Sequence, residues 1–209
     1  MPRRRWILAL TGVALVAVLV TGVGLKVRRD HEWAHGGDSL RATAKIEVAT
    51  ADTFPATVAA LGGPSDAQFA LARASSVVVR VSWNGPTRTG DSYQLLVLDR
   101  RVTPPRPLPV HQGWNARGST GSHWSGSYEV LAERYDWLAR TASVQVQPGT
   151  WTSNTMAIDA PADARGQLIG TFVADEGQLP FDDPSSQVLV ALFLVDKDGD
   201  VRWAKRIAG

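Results

Sequence analysis

The stretch QVLVALFLVDKDGDVRWAKRI, residues 187–207, decides the fold class. Its first nine residues are apolar almost throughout and rich in β-branched and aromatic side chains, the pattern of a strand covered on both faces. Asp196-Lys197-Asp198-Gly199-Asp200 then interrupts it. The Asp-Gly step supplies the positive φ that a tight antiparallel connection needs. Beyond it VRWAKRI alternates between apolar and polar, as a strand nearer a sheet edge does. Residues 187–207 therefore predict a β-hairpin.

Upstream, similar signals recur at SVVVRVSW (76–83), SYQLLVLD (92–99), ASVQVQ (142–147), WTSNTMAI (151–158) and QLIGTFVA (167–174), and AKIEV near Thr43 reads as a first strand. Gly, Pro, Asn and Asp clusters separate them, which is the punctuation of antiparallel structure. The fold class expected is mainly β, an antiparallel β-sandwich-like domain of seven or eight strands with one or two short helices, with an α+β arrangement as the alternative. Two segments read as helices. Ser65 and Gln68 have capping-box spacing ahead of FALARA, and in SYEVLAERYDWLAR (127–140) Leu131, Tyr135 and Leu138 share one helical face. The Pro-rich run 103–109 and the Gly/Ser-rich run GWNARGSTGSHWSGS (113–127) read together as a long loop.

Ahead of this domain, Trp6 to Leu25 is an uncharged apolar run between Arg3, Arg4 and Arg5 and the cluster Lys26, Arg28 and Arg29. Twenty helical residues reach roughly 30 Å, the thickness of a bilayer's hydrocarbon core. The run is longer than a signal-peptide apolar core and no A-x-A-like cleavage site precedes Lys26, so it reads as an uncleaved single-pass anchor. The flanking cations balance. The arginines ahead of a first apolar segment favour an N-terminus in the cytoplasm and a downstream domain outside it. The organisation expected is a basic cytoplasmic segment at 1–5, a transmembrane signal-anchor helix at 6–25, a juxtamembrane stalk at 26–42 and an extracytoplasmic β-rich domain at 43–209. An excess of arginine over lysine with much Ala, Gly and Val suits a bacterial, GC-rich genome.

The chain has no cysteine, which excludes disulfides, thiolate metal sites and thiol redox chemistry. Its formal charge is +2, with the cations concentrated around the anchor, so the partners expected are the lipid bilayer and an envelope protein or saccharide, and nucleic acid is expected to be excluded.

Residues 31–40, HEWAHGGDSL, carry two motifs. His31-Glu32-x-x-His35 is similar to the zincin metalloprotease helix, where histidines at i and i+4 hold zinc and the glutamate activates its water. That resemblance implies His31 and His35 as metal ligands and Glu32 as the catalytic base of a membrane-anchored hydrolase. It covers five residues, and Asp38 and Arg41 stand where the extended metzincin pattern has glycine and a third histidine. Gly37-Asp38-Ser39-Leu40 resembles the nucleophile block of the GDSL esterases, but no histidine follows His123 to serve as its base. The preferred reading is a helical tail and hinge, with no catalytic residue, cofactor or metal. Asp196, Asp198 and Asp200 have the 1, 3, 5 spacing of a calcium loop, yet Val201 and Ile207 occupy the glycine and glutamate positions, so a hairpin turn is preferred there as well.

The candidate ligand-binding residues are Trp114, Asn115, His123 and Trp124, with Gln112. They combine flat aromatic faces and amides in the manner of a platform for a sugar or peptide. Trp83, Trp151 and Trp203 are expected in the core. The function expected from these features is that of a membrane-tethered extracytoplasmic binding or protein-interaction module.

Overall fold

The computed structural model describes residues 20–28, 31, 35–68, 75–85, 90–102, 106–115, 117–120, 158–161, 165–173 and 181–209. These residues form two antiparallel sheets and few helices. The first sheet has the order β1-β2-β8-β5-β6, built from β1 (Arg41–Ala49), β2 (Ser76–Asn84), β5 (Val110–Asn115), β6 (Gly118–Thr120) and β8 (Arg165–Val173). The second has the order β10-β9-β3-β4, from β3 (Ser92–Asp99), β4 (Arg106–Pro107), β9 (Val188–Val195) and β10 (Val201–Ala208), and β7 (Ile158–Pro161) also pairs with β3. Helix α1 (Phe54–Ala60) follows β1, and the short α2 (Pro184–Gln187) leads into β9.

The hairpin expected at 187–207 is present. Val195 pairs with Val201, Asp196 and Asp200 close the connection through a 2.9 Å backbone bond, and Gly199 takes φ 88°. All eight residues of β9 are buried, and β10 lies at the sheet edge. The strands expected at 76–83, 92–99 and 167–174 are likewise found, within two residues at each end.

Alternation along these strands assembles the core. Val77, Val79, Val81 and Trp83 of β2, with Leu168 and Phe172 of β8, face Tyr93, Leu95 and Val97 of β3, four apolar residues of β9 and Trp203 of β10. Full burial of each such side chain contributes about 1.5–3 kcal/mol. A second apolar cluster lies outside this sandwich. Phe54 and Val58 of α1, with Leu61 and Ala67, pack on Val78, Ile169 and Trp114 of the first sheet.

Two expectations are corrected. Ser65–Gln68 is turn and irregular chain rather than the first turn of a helix; FALARA lies outside the described residues. The helix in this region comes earlier, at α1. Its signals are Pro55 in the first turn and Leu61-Gly62-Gly63-Pro64 at the end. The run 103–127 is not one loop, since it contains β4, β5 and β6. Gly113, which reads locally as a strand breaker, lies opposite Gly170 in the β5–β8 ladder, and cross-strand hydrogen bonds outweigh its weak strand preference. The segments 127–140 and 142–147, most of 151–158, and Trp151 fall outside the described residues.

At the N-terminus, residues 20–28 are helical, and Val20, Val23, Leu25 and Val27 are all more than 60% exposed. Among the described residues no helix is long and apolar enough to cross a membrane; most of the apolar run at 6–25 lies outside them. The turn at 36–39 is tied to the domain. Lys205 Nζ donates to the carbonyls of Gly37 and Leu40 at 2.9 and 2.8 Å, and Leu40 is fully buried.

Candidate functional site

The first wall of the site follows from how α1 ends. Gly62 takes φ 88°, a left-handed conformation that glycine adopts without a Cβ clash. Its N–H donates to Ala59 O and that of Gly63 to Val58 O, both at 2.9 Å, a Schellman arrangement that satisfies the last carbonyls of the helix. Pro64 prevents the helix from resuming. The chain from Gly62 to Gln68 is thereby turned across the outer face of the first sheet, pinned by Leu61 and Ala67 in the second cluster.

The opposite wall is the sheet itself. Residues two apart on a strand share a face, so Gln112 and Trp114 of β5 project to the same side as Gln167 and Ile169 of β8, with Trp114 directly opposite Ile169. A bulge between Val110 and Gln112 sets this register. The bulge disrupts the ladder, and the Thr171 hydroxyl repairs it: Gln112 N–H donates to Thr171 Oγ1, and that hydroxyl donates to Gln112 O, both at 3.0 Å. At the strand end, Asn115 Oδ1 accepts the Arg117 N–H at 2.8 Å and caps the turn into β6, where Gly118 has φ 117°.

Between these walls lies a cavity of about 790 Å³. Gly62, Gly63, Pro64, Asp66, Ala67 and Gln68 line its loop side; Gln112, Trp114, Asn115, Gly118, Gln167 and Ile169 line its sheet side. The volume is within the range, roughly 300–1,000 Å³, of pockets that enclose small ligands. His111 ties the two walls together: its Nε2 lies 3.4 Å from Gln68 O, and its ring meets Phe54 edge-on at 6.1 Å. Among the described lining residues the charged side chain is Asp66, and none is Lys or Arg.

Of the candidate binding residues, Trp114 and Asn115 meet in this cavity, whereas His123 and Trp124 fall outside the described residues. Trp114 is 6% exposed and shares the second apolar cluster, so it forms the floor of the cavity and not a freestanding platform. Asp66, Gln68 and Gln167 are not among the residues the sequence marks for ligand binding; Gln68 is marked there only for its capping-box spacing. The one signal pointing to the loop is Leu61-Gly62-Gly63-Pro64, a helix stop.

The other motifs lie apart from the cavity. His31 and His35 do share a helical face, with ring centroids 4.9 Å apart, and His35 Nδ1 is 3.3 Å from Asp38 Oδ2; Glu32 is outside the described residues. Among the described residues no group of three or more His, Cys, Asp or Glu is placed to hold a metal ion. Asp196 is committed to its turn. Burial opposes its ionisation, but Oδ1 accepts the N–H groups of Asp200 and Asp198 at 2.8 and 3.0 Å and Oδ2 faces Arg202, so its carboxyl titrates below the usual range. Trp83 and Trp203 are in the core, 5% and 3% exposed.

No protein-family model matches the chain, and neither does any curated protein. Among solved structures, the chain aligns with that of C. elegans Cep-1, described in a comparison of its DNA-binding domain with that of human p53, its ortholog. The alignment has 13% identity, covers 80% of this chain and 88% of that one, and has a TM-score of 0.27. The exclusion of nucleic acid expected from charge distribution is withdrawn on this finding, because the aligned structure is a DNA-binding domain. A likeness at that TM-score carries no argument for what this chain binds.

Proposed function

We propose that this chain is a membrane-tethered extracytoplasmic binding module of the bacterial cell envelope, which receives a small ligand in the cleft between the Gly62–Gln68 loop and the first sheet. The observation that carries the reading is the cleft: a cavity of about 790 Å³ with a buried indole as its floor and amide side chains on both walls. A concave site in which apolar surface meets convergent polar groups is a usual form of a ligand site. Two features support the tether, the uncharged run at 6–25 and the exposed Val20, Val23, Leu25 and Val27 on the helical segment that continues it. Apolar side chains exposed along a helix gain free energy when lipid covers them. Confinement to a surface raises the effective concentration of a weak binding site near envelope ligands.

Two measurements test this reading. In spheroplasts, external protease should degrade the 43–209 domain, and protection of that domain overturns the outward orientation. A photo-cross-linking residue at position 68, at the cleft, should label a small envelope component in intact cells, while the same probe at position 202 on β10 should not. Equal labelling at both positions overturns the cleft as the binding site.

A further inference from the structure

We infer that the ligand of the cleft is a neutral, hydroxyl-rich ring compound, a saccharide of one or two units. The inference rests on the cleft being the binding site. Three glutamine carboxamides line it, Gln68 from the loop and Gln112 and Gln167 from the sheet, while the Asn115 Oδ1 is taken by the Arg117 N–H. A carboxamide both donates and accepts, and so does a sugar hydroxyl, so amides on opposing walls can satisfy hydroxyls directed to either side of a ring. Beneath the amides, Trp114 and Ile169 stand opposite each other in the ladder, 6% and 2% exposed, and close the base of the cleft with apolar packing.

Charge and polarity argue against the other small-ligand classes. A phosphate or carboxylate would meet Asp66 with no Lys or Arg among the described lining residues to compensate it. A fatty acyl chain would cover the glutamine carboxamides without offering them partners, at a cost of about 1–3 kcal/mol for each polar group left unsatisfied. The strand beneath one of them is fixed: the Thr171 hydroxyl bridges the Gln112 backbone at the bulge, and Gly62 leaves room beside Gln167, where an added Cβ would lie 3.3 Å from Nε2. A backbone fixed before binding loses less entropy when the ligand arrives.

The test uses the full chain in phosphatidylcholine nanodiscs, which avoids sugar-headed detergents. It is titrated by calorimetry and tryptophan fluorescence with N-acetylglucosamine, N,N′-diacetylchitobiose, cellobiose, inorganic phosphate and decanoic acid. At least one saccharide should bind saturably, and Gln68→Leu, Gln112→Leu and Gln167→Leu should each weaken it about five- to tenfold, the loss of one hydrogen bond. Gln68 is exposed on the loop, so its substitution leaves the core intact, and unchanged near-ultraviolet circular dichroism checks the other two. Saccharide binding that ignores all three substitutions overturns the assignment to this cleft. Cleft-dependent binding of phosphate or decanoic acid, with no saccharide bound, overturns the ligand class and leaves the binding site standing. Binding of none of the five probes overturns both.

Discussion

Trp83 of β2 lies across the bare backbone of Gly166 of β8, its direct partner in the antiparallel ladder, so closely that a Cβ at position 166 would overlap the indole. The contact seats Trp83 against Tyr93, with ring centroids 5.1 Å apart, and Tyr93 in turn lies 5.8 Å from Trp203. One glycine thus permits an aromatic row that joins the two sheets. Gly166→Ala should destabilise the domain by about 1–3 kcal/mol, the usual cost of overpacking. A lowered urea midpoint with an unchanged m-value checks this, and a shift of the tryptophan emission should accompany it.

Tyr93 is fully buried, and burial followed by the nearby Asp91 raises its phenol to about 12. The charged form is the disfavoured one in the folded state. Unfolding returns the group to about 10, so the unfolded chain gives up its proton first as pH rises. Stability should be flat in this group below pH 10 and fall between pH 10 and 12. Ultraviolet titration of tyrosinate should show one of the three tyrosines ionising only in the upper part of that range, and Tyr93→Phe should remove that step.

Asp99 is a buried carboxylate, 0% exposed, and Arg101 folds back over it through Nε and Nη2 at 3.0 and 2.9 Å while its guanidinium stands 3.5 Å above the Phe181 ring. Removing one partner strands the other charge. Arg101→Met should cost about 3–5 kcal/mol, and Asp99→Asn with Arg101→Met should recover part of that loss. Thermal unfolding of the two singles and the double measures the coupling.

Thr171→Val removes both hydrogen bonds to the Gln112 backbone while keeping the shape of the side chain. The Gln112 N–H and carbonyl lose a partner at the bulge, and a loss of about 1–3 kcal/mol is expected. Amide hydrogen exchange should accelerate along β5 and leave β9 unchanged. Saccharide affinity should fall with it, because Gln112 and Trp114 are placed by that strand.

Gly62→Ala places an L side chain at φ 88°, at a cost of about 1–2 kcal/mol. Its effect should concentrate in the cleft. The loop from Gly62 to Gln68 either shifts or pulls α1 with it, so ligand binding should weaken more than thermal stability does. Equal losses in both would mean that the loop does not shape the site.

The legible parts of this protein were those that local chemistry specifies alone. Strand identity at 76–84, 92–99 and 188–208 follows from β-branched runs and an Asp-Gly turn, since period-two alternation and positive φ depend on residues within a few positions of each other. The apolar run at 6–25 is likewise a local property. Helix α1 was legible in principle, through Pro55 and Leu61-Gly62-Gly63-Pro64, and its seven residues are held by the packing of Phe54 and Val58 on the first sheet. β5 was hidden for a related reason, because its glycine becomes a strand residue only when Gly170 stands opposite.

The sequence alone determined the antiparallel β character, the closing hairpin and the lack of thiol chemistry, all of which depend on composition or short-range pattern. Only the tertiary structure decided that Gln68, Gln112, Asn115 and Gln167 meet around one cavity, with Trp114 as its floor. Those residues are separated by up to a hundred positions and come together through a non-sequential strand order, β2-β8-β5, which the pattern along the chain does not encode. Register then selects which side chains face the cleft, and here a single bulge, bridged by one hydroxyl, makes that selection.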